Sequence, residues 1–147
     1  MKIRAARPED LDAINVLLTE NALPASDITR ELLRDFAVAE GDGGFLVGCV
    51  GLESRGANAL LRSLAVAQTV RNAGLGGRLL ARAEDLARKK GISELWLLTT
   101  TAPDFFRRKG YVDVGRGTAP TELQATSQFA QLCPASAVCM TKIISSR

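Results

Sequence analysis

Apolar and polar residues follow two periods along the chain, and the switches between them mark out the elements. Met1–Ala6 has strand length. Leu11, Ile14, Leu17 and Leu18 then recur at helical spacing. Arg7-Pro8-Glu9-Asp10 opens that helix, because proline suits the first helical position and the acids suit the positive end. Asn21-Ala22-Leu23-Pro24 breaks it. A second helix is expected next, with Ser26 or Asp27 as N-cap and Ile28, Leu32 and Leu33 on its buried face. Phe36–Glu40 and Phe45–Glu53 read as strands joined by the hairpin signal Gly41-Asp42-Gly43-Gly44. Gly48 and Gly51 inside the second strand point to a bulge or a close contact.

Ser54–Asn58 turns the chain into an apolar run, Leu60–Val66, of strand length. A polar loop, Ala67–Ala73, leads to Gly74-Leu75-Gly76-Gly77 and a helix. Leu75, Leu79, Leu80, Ala83, Leu86 and Ala87 line one face of it, with Arg78, Arg82, Asp85, Arg88 and Lys89 on the other. Lys89, Lys90 and Gly91 close it. Glu94–Thr99 is apolar on both faces, as a buried strand after a crossover helix would be. A short helix over Ala102–Lys109, a strand over Tyr111–Val114 and a closing strand over Ala137–Ile143 follow. Between the last two, Gly115–Cys133 is irregular, with a short helix expected around Thr121–Ala125. This order predicts one α/β domain over residues 1–147: a mixed, mostly antiparallel sheet flanked by helices.

Composition narrows the chemistry. The 147 residues carry a formal charge of +3, with Lys and Arg scattered among Asp and Glu, so no nucleic-acid-binding stripe stands out. There is no histidine, which removes the commonest general base and the triads built on it. Cys49, Cys133 and Cys139 have neither disulfide-framework nor zinc spacing, so no metal is expected. No apolar run reaches membrane length, and the cytoplasm is the expected setting.

The stretch Leu60–Gly91 is a strand, a glycine turn and a helix N-terminus, a physical recipe for an anion site. Helix N-termini hold unpaired N–H donors and a partial positive charge, and glycines let the backbone approach a phosphate closely. A P-loop would need Lys then Ser or Thr, and a dinucleotide fingerprint a third glycine where Leu79 stands; neither fits. Arg71-Asn72-Ala73-Gly74-Leu75-Gly76, five residues beyond the end of the strand, resembles instead the Arg/Gln-x-x-Gly-x-Gly/Ala loop of the Gcn5-related N-acetyltransferase (GNAT) family. The resemblance implies that the amides of Arg71, Asn72, Ala73, Gly74, Leu75, Gly76 and Gly77 hold the pyrophosphate of acetyl-CoA. It also implies that the central strand splays from its neighbour, so that main-chain groups of Leu64, Ala65 and Val66 meet the pantetheine arm and thioester oxygen.

Thr99-Thr100-Thr101-Ala102-Pro103-Asp104-Phe105-Phe106-Arg107-Arg108-Lys109-Gly110-Tyr111 is similar to the family's second coenzyme segment, Asn-x-x-Ala-x-x-Phe-Tyr-x-x-x-Gly-Phe. Thr99, Phe105 and Phe106 become coenzyme-side positions on this basis. Thr99 stands where Asn is usual. Phe106 stands where many relatives have a Tyr thought to protonate the leaving thiolate, and Phe carries no such proton. Phe105 reads as a core residue.

The implied reaction is acetyl transfer to the primary amine of a small molecule. Leu60 and Leu61 occupy the region where some relatives keep a catalytic Glu. Glu53 is then the nearest carboxylate by sequence and the candidate base, against its plainer reading as an exposed strand-end Glu; water or an already neutral amine would also serve. Arg62 and Ser63 are polar intrusions in an apolar strand. Alternation lets one of them face a given side, with Ser63 the second catalytic candidate and Arg62 a candidate partner for an acceptor carboxylate. The closing segment Gln128–Ala137, followed by Met140 and Lys142, resembles small bacterial arsenic-resistance acetyltransferases, implying a toxic amino acid such as arsinothricin as acceptor and Arg62, Arg116 or another cation as the partner of its carboxylate or arsinate. A polyamine, an aminoglycoside or a protein N-terminus stay open, as do a non-catalytic acyl-CoA sensor and a homodimer.

Overall fold

The structure is a computed structural model and describes residues 1–71 and 73–144. Its elements are β1 (Lys2–Ala5), α1 (Leu11–Glu20), β2 (Phe36–Glu40), β3 (Leu46–Arg55), β4 (Asn58–Val66), α2 (Leu75–Lys89), β5 (Glu94–Thr99), α3 (Pro103–Arg108), β6 (Val112–Val114), α4 (Thr121–Gln124) and β7 (Val138–Ile143). Among the described residues the strand order is β1-β2-β3-β4-β5-β7-β6. β1/β2, β2/β3, β5/β7 and β6/β7 are antiparallel, and β4 and β5 are parallel. The parallel register runs over Asn58–Leu60 against Glu94–Trp96, while β4 continues to Val66. The chain forms two compact units: Met1–Glu53 with Leu61–Leu86, and Ser54–Leu60 with Ala87–Arg147.

In the first unit one face of the sheet packs on α1. Ile14, Leu17 and Leu18 of the helix join Ile28, Leu33, Phe36, Val38, Cys49 and Ala65 in one buried cluster. Burial of each large apolar side chain there contributes about 1.5–3 kcal/mol. Gly48, beside Cys49 and so on the opposite face, receives α2: a Cβ at Gly48 would lie 2.8 Å from Leu79 Cδ1 and 3.2 Å from Leu75 Cδ2. Both glycines of β3 therefore mark close approaches. At Gly51 a Cβ would lie 2.2 Å from the Phe36 ring, which spreads over the bare backbone.

The helix expected from Ser26 does not form. Residues 21–35 run as turns and end in a 3-10 turn over Leu32–Asp35. The reason is competition for the cap: the Asp27 carboxylate is bound by Arg62, while Thr29 Oγ1 accepts the Leu32 N–H at 3.1 Å. Ile28 and Leu33 are buried all the same, so packing, not helix formation, anchors the segment.

At the start of the chain Arg4 donates to both oxygens of Asp10, at 2.8 and 3.0 Å, and to Glu40 on β2. Asp10 also accepts the Arg7 N–H at 2.7 Å. This ties β1, β2 and the entry to α1 together. The Arg4 hydrogen bond, against some burial, holds the Asp10 carboxyl below its ordinary value.

The second unit is built on β5, which pairs with β7 along Glu94–Thr99. Leu60 and Trp96 pack with Ala119, Leu123 of α4, Phe129 and Cys139. The irregular stretch thus supplies core residues through α4 and a single π-helical turn, Gln128–Leu132.

Two outcomes follow from this packing. Gly51→Ala should cost about 1–3 kcal/mol, read as a lower urea midpoint, because the Phe36 ring must move; Phe36→Leu in the same chain should recover part of it. Asp10, with its carboxyl depressed from 3.8, stabilises the fold above that value, and the contribution goes as pH falls through the folded-state value. Denaturation across acid pH should therefore show a steeper loss in the wild type than in Asp10→Asn, and equal slopes would remove the ion pair from the account.

Candidate active site

Phe36 starts the site. Its ring, lying over Gly51, places its face 6.0 Å from the Arg62 guanidinium carbon. Arg62 sits in the middle of β4 with its side chain 1% exposed. Nη1 and Nη2 donate to the two oxygens of Asp27 at 2.5 and 2.7 Å, and Nη1 reaches Glu53 Oε1 at 3.1 Å. Nε donates to Ser63 Oγ at 3.1 Å. Burial works against the Arg62 charge, yet the two carboxylates hold its pKa above the ordinary value. Arg62, expected to meet an acceptor carboxylate, thus meets two protein carboxylates. Glu53 is not an exposed strand end either: β3 runs on to Arg55, and Glu53 is buried.

Ser63 has φ 59°, inside a strand. Its carbonyl accepts a hydrogen bond from the Cys49 thiol at 3.2 Å. Burial pushes that thiol up to about 12, which keeps it protonated and donating. Strand alternation would put residues 62 and 65 on opposite faces, but Arg62 stacks on Phe36 and Ala65 joins the cluster that contains Phe36. The left-handed residue between them resets the alternation. Leu64 and Val66 are half-buried and Ala65 is buried.

After β4 the Ala67 N–H is held by the Val47 carbonyl at 2.8 Å, and a 3-10 turn over Gln68–Val70 leads to the glycine loop. Arg71 is exposed and donates to Asn21 Oδ1 at 2.5 Å. Asn21 Nδ2 in turn donates to the Leu17 carbonyl at 2.8 Å, so the C-terminus of α1 orients the amide that receives Arg71. Asn72 lies outside the described residues. Ala73 and Gly74 are exposed, and Gly74 has φ +77° with no atom within 4 Å of a would-be Cβ. Leu75 is buried against β3, while Gly76 and Gly77 are half-buried in the first turn of α2. That first turn holds no acidic residue, so no carboxylate of its own meets the positive end of a fifteen-residue helix. Arg71, Ala73 and Gly74 are exposed, and an exposed glycine turn before a helix N-terminus offers backbone N–H donors of the kind a phosphate group takes.

In the second unit, Thr99 is buried and its Oγ1 accepts the Ala102 N–H at 3.1 Å, fixing the turn into α3. Phe106, not Phe105, is the buried aromatic of α3; its ring meets Phe105 edge-on at 5.1 Å and Tyr111 at 5.6 Å. Arg116 does not offer a bare cation. Its guanidinium donates to the carbonyls of Phe129, Cys133 and Pro134 at 2.6, 3.0 and 2.7 Å and lies over the Phe129 ring.

Asp27, Asn21 and Cys49 carry this geometry, and no motif in the sequence marks them for it. Asp27 carries no such signal in the sequence, because only the fold brings its segment against the strand that bears Arg62, 35 residues away. Among the described residues no group of three or more His, Cys, Asp or Glu is placed to hold a metal, and no helix is long and apolar enough to cross a membrane. A cavity of about 240 Å³ lined by Ala6, Pro8, Arg30, Glu31, Leu33 and Arg34 contains none of the candidate site residues.

Residues 33–113 match the family model of the acetyltransferase (GNAT) domain. The chain is 31% identical over 128 residues to an uncharacterized N-acetyltransferase, CT2212, of Chlorobaculum tepidum, covering 82% of this chain and 81% of that protein. It is 31% identical over 123 residues to the amino-acid acetyltransferase of Pseudomonas putida, covering 77% of this chain but 28% of that longer protein. The fold is shared with Rv2747 of Mycobacterium tuberculosis, solved in complex with CoA, at a TM-score of 0.83 and 22% identity over 99% of this chain and 100% of that one. N-acetylglutamate synthase of Neisseria gonorrhoeae, complexed with coenzyme A and N-acetyl-glutamate, aligns at a TM-score of 0.82 and 25% identity, over 98% of this chain and 35% of that one. With a glycine loop opening α2 directly after a kinked β4, and with these relatives, the chain belongs to the GNAT acetyltransferase family.

Proposed function

We propose that the protein transfers the acetyl group of acetyl-CoA to the α-amine of an amino acid. The observation that carries the acceptor class is the similarity, over most of this chain, to amino-acid acetyltransferases and to a synthase solved with N-acetyl-glutamate. A toxic amino acid such as arsinothricin is the finer reading, supported by the likeness of the segment Gln128–Ala137 to arsenic-resistance acetyltransferases.

When bound, acetyl-CoA supplies an activated thioester. The loop amides from Arg71 to Gly77 and the α2 N-terminus then hold the pyrophosphate, and the β4 main chain at Leu64–Val66 aligns the acyl arm. Fixing two reactants in this way lowers a barrier by up to about 7–11 kcal/mol, so alignment can carry most of the rate. The residues offer little proton chemistry. Glu53 is buried and paired with Arg62, and Phe106 has no proton to give. Such a site favours an amine that arrives neutral or loses its proton to water, and a thiolate that leaves unassisted.

The test is thiol release from acetyl-CoA with a panel of amino acids that includes glutamate, arginine and arsinothricin, with mass detection of the acetylated product. An N-acetylated amino acid is the expected result. Tight acetyl-CoA binding without turnover on any amine would replace the enzyme reading by a sensor. Gly74→Val tests the loop: a β-branched residue at φ +77° is strained by about 1–3 kcal/mol and displaces the neighbouring amides. It should lose at least about tenfold in acetyl-CoA affinity with an unchanged circular dichroism spectrum, and unchanged affinity would take the loop out of the coenzyme site.

A further inference from the structure

We infer that Cys49, Arg62 and Asp27 are positioning residues that hold Ser63 in its left-handed conformation, and that this fixed kink aims the main chain on either side of Ala65, at Leu64 and Val66, toward the thioester oxygen. The inference rests on the acetyl-CoA reading above and adds to it a device that no motif marks.

A serine at φ 59° in mid-strand is costly, and such a conformation persists where its surroundings impose it. Here it is gripped from two sides. The Cys49 thiol donates to the Ser63 carbonyl at 3.2 Å from a wholly buried position on β3. A kink turns a strand carbonyl away from its ladder partner, and a buried carbonyl needs a donor. Arg62 Nε donates to Ser63 Oγ at 3.1 Å. Arg62 itself cannot swing, because Asp27 binds both of its terminal nitrogens and Phe36 lies against its face. The consequence is directional. Resetting the alternation at Ser63 puts Ala65 in the α1-facing cluster, and so decides which way the N–H and carbonyl groups of residues 64–66 point. Cys49 thus takes a role in acyl-group alignment although it does not reach the reacting atoms, and Arg62 acts through Ser63 and not on the acceptor.

The experiment uses acetyl-CoA carrying carbon-13 in the thioester carbonyl, bound to the full chain and read by isotope-edited infrared spectroscopy, so no acceptor is needed. In the wild type the carbonyl band should move to lower frequency on binding, as a main-chain donor polarises it. Cys49→Ala should lose most of that displacement while still binding CoA. Adding Ser63→Gly should restore it, since glycine adopts the left-handed region without help. Cys49→Ser keeps a donor and should keep the band position. If Cys49→Ala does not fold, Asp27→Asn, which loosens Arg62 from a half-buried site, should show partial loss. A full displacement in both Cys49→Ala and Asp27→Asn overturns the clamp, as does a loss that Ser63→Gly leaves unrepaired. A wild type with no affinity for acetyl-CoA overturns the acetyl-transfer reading itself, an outcome separate from either.

Discussion

A guanidinium buried in the middle of a strand cannot stand alone. Breaking such a pair by removing one partner typically costs about 3–5 kcal/mol, because the other charge stays uncompensated. Arg62 is in that position, and much of the first unit is arranged to answer it. Asp27 is drawn in from a segment that would otherwise cap a helix. Glu53 is kept inside β3. Phe36 stacks on the guanidinium, and Gly51 gives up its side chain to let the ring lie there. One polar residue in an apolar strand therefore accounts for an irregular segment, a glycine and a buried acid together.

The second organising contact is smaller. Gly48 lets Leu75 and Leu79 approach β3 closely, which seats the first turn of α2 on the sheet. The connection from β4 to α2 is fixed where it leaves the strand, with Ala67 bonded to Val47, and it enters the helix through Gly74. The first turn of α2 is thus placed by its packing on the sheet. A helix N-terminus seated in this way needs no ligand to set its position.

Much of this was legible in the sequence where the signal is local. The strands Phe36–Glu40 and Glu94–Thr99 fall where their apolar runs place them, and the α2 stripe of Leu75, Leu79, Leu80, Ala83 and Ala87 is buried as its spacing requires. The glycine loop was visible because backbone conformation leaves a compositional trace. What was hidden depends on partners far apart in the chain. Asp27 and Arg62 stand 35 residues apart, and no propensity links them. Arg116 looked like a cation for a ligand because a sequence shows charge but not the carbonyls that will use it. Phe105 and Phe106 are adjacent in a helix of six residues, too short for periodicity to say which ring turns inward. At Ser63 the sequence shows a hydroxyl, whereas the backbone, at φ 59°, is the unusual feature.

Arg116 carries one more consequence. Its guanidinium gathers the carbonyls of Phe129, Cys133 and Pro134, so the bend from the π-helical turn to β7 is drawn together by main-chain acceptors. Carbonyls are the same in every amino acid. Exposed positions in that bend, such as Ala130 and Gln131, can therefore drift over evolutionary time while one cation preserves the contour. That is how a loop can be rewritten by mutation without being remodelled.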